Sequence, residues 1–388
     1  MTSGSLPRAA AHRIACAVVA AEIRRLRGKD LPLLHPDGWS ESLAIGDKGL
    51  GLDSMEQLGA LGALANTFDL DDAMLGQEPP KTVGEWIDWI MRRHASGESC
   101  LIVKTSGSTG SPIACAHAMT DLLAEAAYLV TRFSKRRRFV ALVPAHHLYG
   151  IIWTALMPAL MGLPVITRTI GAALDLAPGD LIVAVPDQWQ SIQRLSARFP
   201  DHVVGVSSAG PLNDEIAADL LAAGLTRLVD IYGSTETGGI AMRELPATMY
   251  DLLPKWQLLP LGNNDSQLAD YRGLHSLPDH VERVGDRSMR PIGRRDGAVQ
   301  VGGHNVWPTR VAEMLRTIDG VADAAVRLHA NGRLKAFIVP DGRYDPVELS
   351  DRIEQAAVDR LAGPERPKSL KFGATLPRNA MGKLEDWA

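Results

Sequence analysis

The sequence predicts an α/β protein, with an all-helical region ahead of its core and a small α+β lobe behind it. Three observations predict this. Residues 1–96 place apolar side chains at helical spacing and contain no strand-like run. From residue 97, short apolar strands alternate with helices, the pattern of a largely parallel sheet. After about Arg294 the segments shorten and mix strands with a helix. The expected divisions are therefore 1–96, 97–293 and 294–388.

In order along the chain, residues near 8–26 read as an amphipathic helix with Ile14, Val18, Ile23 and Leu26 close to one face. Gly51-Leu52-Asp53-Ser54-Met55-Glu56 leads into a second helix carrying Met55, Leu58, Leu61 and Leu64. Thr82-Val83-Gly84-Glu85 is a capping box that opens a third, burying Val83, Trp86, Ile87 and Ile90. The strands expected next are Leu101–Val103, Phe139–Val143, Val165–Ile166, Leu181–Val185, Val203–Val206 and Leu228–Ile231. The longest apolar run, from Ile151 to Ile166, is broken by Pro158, Gly162 and Pro164, so it predicts a buried helix leading into a strand and no membrane insertion. Val299–Val301, Leu334–Val339 and a helix near 346–361 make up the C-terminal lobe.

Composition narrows the function. Of 388 residues, 46% are hydrophobic and 22% charged, the balance of a soluble globular protein, and the net charge of -4 argues against nucleic acid as a partner. Cys16, Cys100 and Cys115 form neither a paired framework nor a metal-ligand spacing, which suits a reducing cytoplasm. The run Lys135-Arg136-Arg137-Arg138 reads as a solvated helix end.

The strongest local signal is Thr105-Ser106-Gly107-Ser108-Thr109-Gly110-Ser111-Pro112, directly after a strand. Small residues let backbone N–H groups wrap an anion, and the hydroxyls add donors for phosphate oxygens. No Gly-Lys-Ser/Thr ending follows, so this is not a Walker loop. Further on stand Pro144-Ala145-His146-His147-Leu148-Tyr149-Gly150, Ser207-Ser208-Ala209-Gly210-Pro211-Leu212 and Tyr232-Gly233-Ser234-Thr235-Glu236. Asp279 precedes Gly293-Arg294-Arg295-Asp296. Gly302-Gly303-His304-Asn305-Val306-Trp307-Pro308 comes next, and Leu376-Pro377-Arg378-Asn379-Ala380-Met381-Gly382-Lys383 closes the series. In order and spacing this set, over residues 99–388, resembles the adenylate-forming superfamily of acyl- and aryl-CoA synthetases.

The resemblance implies an enzyme that spends ATP to turn a carboxylic acid into an acyl-AMP, then passes the acyl group to a phosphopantetheine thiol of CoA or of a holo acyl carrier protein. It implies ATP and Mg2+ as cofactors. Thr105, Ser106, Gly107, Ser108, Thr109 and Gly110 would cradle phosphates, and Ser208, Ala209 and Gly210 would pack on adenine. Tyr232 would flank adenine, with Gly233 and Ser234 in the same turn. Thr235 would contact phosphate, Glu236 would hold Mg2+, and Asp279 and Arg294 would bind ribose. His147 would line or gate the acid pocket, and Lys383 would bridge the acid and the α-phosphate. Two like-charged reactants must meet at phosphorus, which is why the chemistry needs a divalent ion and a cation. Asp296 takes the hinge position of a mobile C-terminal lobe.

Two departures stand out. Pro112 is followed by Ile113 where the family has lysine, and only about 100 residues precede the loop. Those residues resemble an acyl carrier protein, with Ser54 at the site of phosphopantetheine attachment, although Asp53 and Ser54 also suit a plain helix cap. The acid expected is a small aromatic one such as a hydroxybenzoate, with fatty acids second. The competing reading is a non-catalytic nucleotide-binding scaffold.

Overall fold

A computed structural model describes residues 5–28, 38–71, 78–95, 99–104, 113–196, 198–261, 265–302, 304–378 and 384–387. The loop Thr105–Gly110 and Lys383, both expected at the site, lie outside the described residues. The described residues form two compact units, and the chain passes from the first to the second between Trp256 and Gln257.

The first unit opens with α1 (Arg8–Arg27), α2 (Ser54–Phe68) and α3 (Val83–Ala95). Local chemistry sets their starts. Asp53 caps α2 by accepting the Glu56 N–H at 2.8 Å, and the Glu56 carboxylate accepts the Asp53 N–H at 3.0 Å. Arg27 of α1 grips Glu56 and also donates to the Gly51 carbonyl at 2.9 Å. That guanidinium holds the Glu56 carboxyl down at about 2, against the upward push of burial. At α3 the Thr82 hydroxyl accepts the Glu85 N–H at 3.3 Å, whereas Glu85 reaches back to the N–H of Lys81 and not of Thr82. Arg13 of α1 donates to the Thr167 hydroxyl at 3.0 Å, fastening this helix to the sheet that follows.

β1 (Cys100–Lys104) and β2 (Ala114–Ala118) pair antiparallel with each other, and α4 (Met119–Arg132) follows at once. Then come β3 (Arg138–Ala141), α5 (Leu148–Ile151), a π-helical turn (Ile152–Leu156), α6 (Met157–Met161), β4 (Val165–Thr167) and β5 (Asp180–Ala184). α7 (Pro186–Leu195), β6 (Val204–Ser207), α8 (Asp214–Ala222), β7 (Arg227–Ser234), β8 (Gly238–Glu244) and β9 (Tyr250–Leu252) complete the unit. Its sheet runs β4-β3-β5-β6-β7 in parallel, then β8 and β9 antiparallel. Strand alternation turns Ile182 and Ala184 towards Trp189 and Ile192 of α7 and Ala217 and Leu220 of α8, closing one core layer. The basic run is solvated only in part: Lys135 and Arg137 are exposed, but Arg138 forks the buried Asp180 at 2.6 and 3.0 Å and Arg136 donates to the His202 carbonyl at 2.5 Å.

The second unit begins with β10 (Gln257–Leu261), β11 (Asp265–Asp270) and β12 (Gly273–Ser276), an antiparallel meander. Two hairpins follow, β13 (Asp279–Val284) with β14 (Ser288–Arg294), and β15 (Val299–Val301) with β16 (His304–Val306). After α9 (Pro308–Arg316) come β17 (Val321–Leu328), β18 (Leu334–Pro340), α10 (Pro346–Arg360) and β19 (Ser369–Phe372). β18 pairs antiparallel with β17 and parallel with β19. One face of this sheet packs on Val311 and Leu315 of α9 and Leu349 and Ile353 of α10. The other face holds Phe337 against Trp387, whose backbone carbonyl accepts from Lys335. Among the described residues no helix is long and apolar enough to cross a membrane.

Candidate active site

In the first unit, the expected residues fall at the C-terminal ends of parallel strands, where α/β sheets bind their ligands. Past β3 the chain turns through Pro144 to Gly150 so tightly that a Cβ on Gly150 would lie 2.0 Å from the Pro144 carbonyl oxygen; only glycine fits. His147 is the exposed N-cap of α5, with its ring 4.1 Å from that of His146. Burial, with His147 and Arg24 nearby, pushes His146 down to about 3, so its imidazole is neutral. The next residue but one, Tyr149, shares its hydroxyl proton between the carbonyls of Ala184 (3.1 Å) and Val206 (3.0 Å), stapling α5 to the ends of β5 and β6.

β6 runs into the candidate adenine loop. Ser208 donates to the Ile231 carbonyl at 2.9 Å, tying this loop to β7, and Ala209 takes φ 68°. The fully buried Ser207 hydroxyl has no partner among the described residues. At the end of β7, Tyr232 meets Tyr250 edge-on at 6.1 Å. Tyr250 is fixed by its hydroxyl on Asp230 at 2.5 Å. Arg243 of β8 ties the candidate adenine loop to β7, bonding Asp230 at 3.2 Å and the Leu212 carbonyl at 3.3 Å.

β7 ends on Gly233 and Ser234, and the turn into β8 carries Thr235 and Glu236. A Cβ on Gly233 would lie 2.4 Å from the Gly238 carbonyl oxygen, so the hairpin closes only around glycine. Ser234 and Thr237 bond hydroxyl to hydroxyl at 3.0 Å. Glu236 is exposed at the tip. Magnesium is usually held by one or two carboxylates plus phosphate oxygens, and an exposed carboxylate at a strand-end turn fits that use. Among the described residues no group of three or more His, Cys, Asp or Glu side chains is placed to hold a metal ion.

The second unit brings Asp279 and Arg294 together as directly opposed residues of β13 and β14, with side chains on one face. Asp279 is buried and Arg294 forks Asp296 at 2.7 and 3.1 Å. Burial raises the Asp296 carboxyl, but the Arg294 bonds and the Ala298 N–H outweigh it and hold it below its ordinary range. Ser54 is exposed in the first turn of α2, inside the Asp53–Glu56 capping box.

Sequence reasoning missed Glu125, His117 and Lys255, which converge under the Thr235–Glu236–Thr237 turn. A signal existed: Glu125 sits between Leu122, Ala126 and Leu129 on the apolar stripe of α4, where an unpaired charge is not expected.

The model of the family described as AMP-binding enzyme matches residues 54–286, more than half of the chain. The chain belongs to the AMP-binding enzymes. This AMP-binding enzyme is 36% identical to a 4-coumarate–CoA ligase of Rhodobacter capsulatus over 97% of its own length and 99% of that protein's. With a 4-coumarate–CoA ligase of Halorhodospira halophila the identity is 37%, over 86% and 87% of the two chains. Among solved structures it resembles an amide bond synthetase of Marinactinospora thermotolerans at a TM-score of 0.59 and 19% identity, covering 80% and 70% of the chains, a likeness of fold. It is an AMP-forming acid–thiol ligase. The matched family region starts at Ser54, so it includes α2 and α3, which lie in the stretch that resembles a carrier protein.

Proposed function

We propose that this enzyme joins a small hydroxylated aromatic acid of the 4-coumarate class to CoA, by way of an acyl-AMP formed from ATP. The observation that carries this reading is likeness to 4-coumarate–CoA ligases along nearly the whole chain. In the first half-reaction a carboxylate oxygen attacks the α-phosphorus and pyrophosphate leaves. In the second the CoA thiol attacks the acyl carbon, loses its proton, and AMP leaves.

Each residue then has a task. Ser208, Ala209 and Gly210 line one side of adenine, and Tyr232, braced by Tyr250, flanks the other. Asp279 accepts ribose hydroxyl protons beside Arg294. Thr105, Ser106, Gly107, Ser108, Thr109 and Gly110 hold phosphates with Thr235, and Lys383 bridges acid and α-phosphate. Glu236 would hold Mg2+, which when bound neutralises phosphate charge. His147, next to the neutral His146, would line or gate the acid pocket.

The acceptor in this reading is CoA and not a carrier thiol. Asp53 caps α2 with Glu56, and an aligned CoA ligase spans the same N-terminal stretch, both of which favour a helix start over an attachment site. The test is acid-dependent pyrophosphate release with 4-coumarate, hydroxybenzoates and fatty acids, followed by thioester detection with CoA. 4-Coumarate is expected to give the highest kcat/KM, and EDTA to abolish release. A preference for fatty acids, or release with no acid at all, sinks the proposal.

A further inference from the structure

The turn that carries Glu236 is held from beneath by side chains of three other segments. His117 of β2 bonds the Thr235 carbonyl at 2.7 Å. Lys255 donates to the Thr237 carbonyl at 3.0 Å and to Glu125 at 3.1 Å. The other Glu125 oxygen accepts the Gly239 N–H at 3.0 Å. Lys255 lies 4.8 Å from the ring of Trp256, whose indole N–H donates to the Gly239 carbonyl at 2.7 Å. Four backbone groups within five residues thus find partners outside the hairpin.

The carboxylate at the centre is a costly choice. The Glu125 side chain is 3% exposed, and an apolar pair of similar volume would serve stability as well or better than a buried ion pair. The hairpin is also shaped around it. A Cβ on Gly238 or Gly239 would approach a Glu125 oxygen to 2.9 or 2.5 Å, so the Gly-Gly after Thr237 is the space this carboxylate needs. Lys255 and Glu125 address the backbone after Glu236, at Thr237 and Gly239, and His117 addresses the backbone before it, at Thr235.

We propose that Glu125 and Lys255 are positioning residues, holding the Thr235–Glu236–Thr237 turn so that the Glu236 carboxylate is presented to a divalent cation on the nucleotide. The proposal rests on the reading of Glu236 as the metal-holding carboxylate. Outer-shell partners of a metal carboxylate typically change metal affinity or activity by about 10- to 100-fold when removed.

The test is calorimetric titration of Mn2+ into the full chain saturated with a non-hydrolysable ATP analogue. Compared with wild type are Glu125→Gln, Lys255→Met, Lys255→Arg and the double variant Glu125→Leu/Lys255→Met. Mn2+ affinity should fall by about 10- to 100-fold in the first two, and Lys255→Arg should recover part of the loss. The double variant, free of any lone buried charge, should melt near wild type yet stay weak for Mn2+; it carries the test where a single variant does not fold. Unchanged Mn2+ affinity in the folded variants overturns the proposal, as does a double variant that binds Mn2+ like wild type. Pyrophosphate release by wild type is followed in parallel: no release with any acid overturns the ligase reading, while the Mn2+ comparison still decides the role of the pair.

Discussion

At the scale of single residues, pH bears on the buried His94. Its ring is 3% exposed, stands edge-on to Phe68 at 5.9 Å, and neither nitrogen has a partner among the described residues. Burial, helped by Arg93, pushes it down to about 4. As pH falls from about 6.5 to 4, the unfolded chain takes up a proton that the folded chain refuses, so stability falls through that window. The shift corresponds to about 3 kcal/mol in all. His94→Leu should therefore lessen the loss of stability between pH 6.5 and 4, read from urea midpoints at each pH. His146, at about 3, contributes in the same window, so the slope should shrink without vanishing. An unchanged slope would show that the His94 ring is hydrated in the folded protein.

At the scale of elements, the start of α2 separates a cap from an attachment site. Asp53→Ala removes the acceptor for the Glu56 N–H and should cost about 1 kcal/mol, read from the denaturant midpoint. Ser54→Ala should leave both stability and CoA-thioester yield near wild type, and incubation with a phosphopantetheinyl transferase should add no mass to the chain. A gain of one phosphopantetheine at Ser54 would restore the carrier reading. The same motif shows how far the sequence is legible. Asp-Ser-Met-Glu announces a helix start truthfully, but a carrier serine and a capping box are written with the same letters. The parallel strands β3 to β7 were readable because strands buried on both faces are short apolar runs. β11, β13 and β14 were not, because their apolar residues are interspersed with Asp, Arg and Glu. The candidate site was legible where backbone geometry demands glycine, at Gly150 and Gly233. The brace of Glu125 and Lys255 was hidden because its partners stand 130 residues apart.

At the scale of the whole molecule, the proposed chemistry asks a lysine near the tail to serve one half-reaction only. Residues on either side of it are anchored within the second unit: Arg378 and Leu384 form a β-bridge, Glu385 N–H donates to the Pro377 carbonyl at 2.8 Å, and Trp387 is buried on Phe337. Lys383→Ala should slow acyl-AMP formation by about 100-fold or more, the scale of losing one preorganised charge at a transition state. Thioester formation from pre-made acyl-AMP should stay within a few-fold of wild type, measured in single-turnover assays. Equal losses in both steps would refute the role given to Lys383.

The Arg294–Asp296 fork has a consequence for how nucleotide binding is felt. Arg294 stands opposite Asp279 across the hairpin, and its guanidinium clasps the carboxylate two positions on, at the position expected to be the hinge. A sugar that recruits its N–H groups would draw them from Asp296, leaving that carboxylate to backbone N–H groups, that of Ala298 and its own. Loading and unloading of the nucleotide would in that way loosen and restiffen the pivot, with a single cation acting as the clutch.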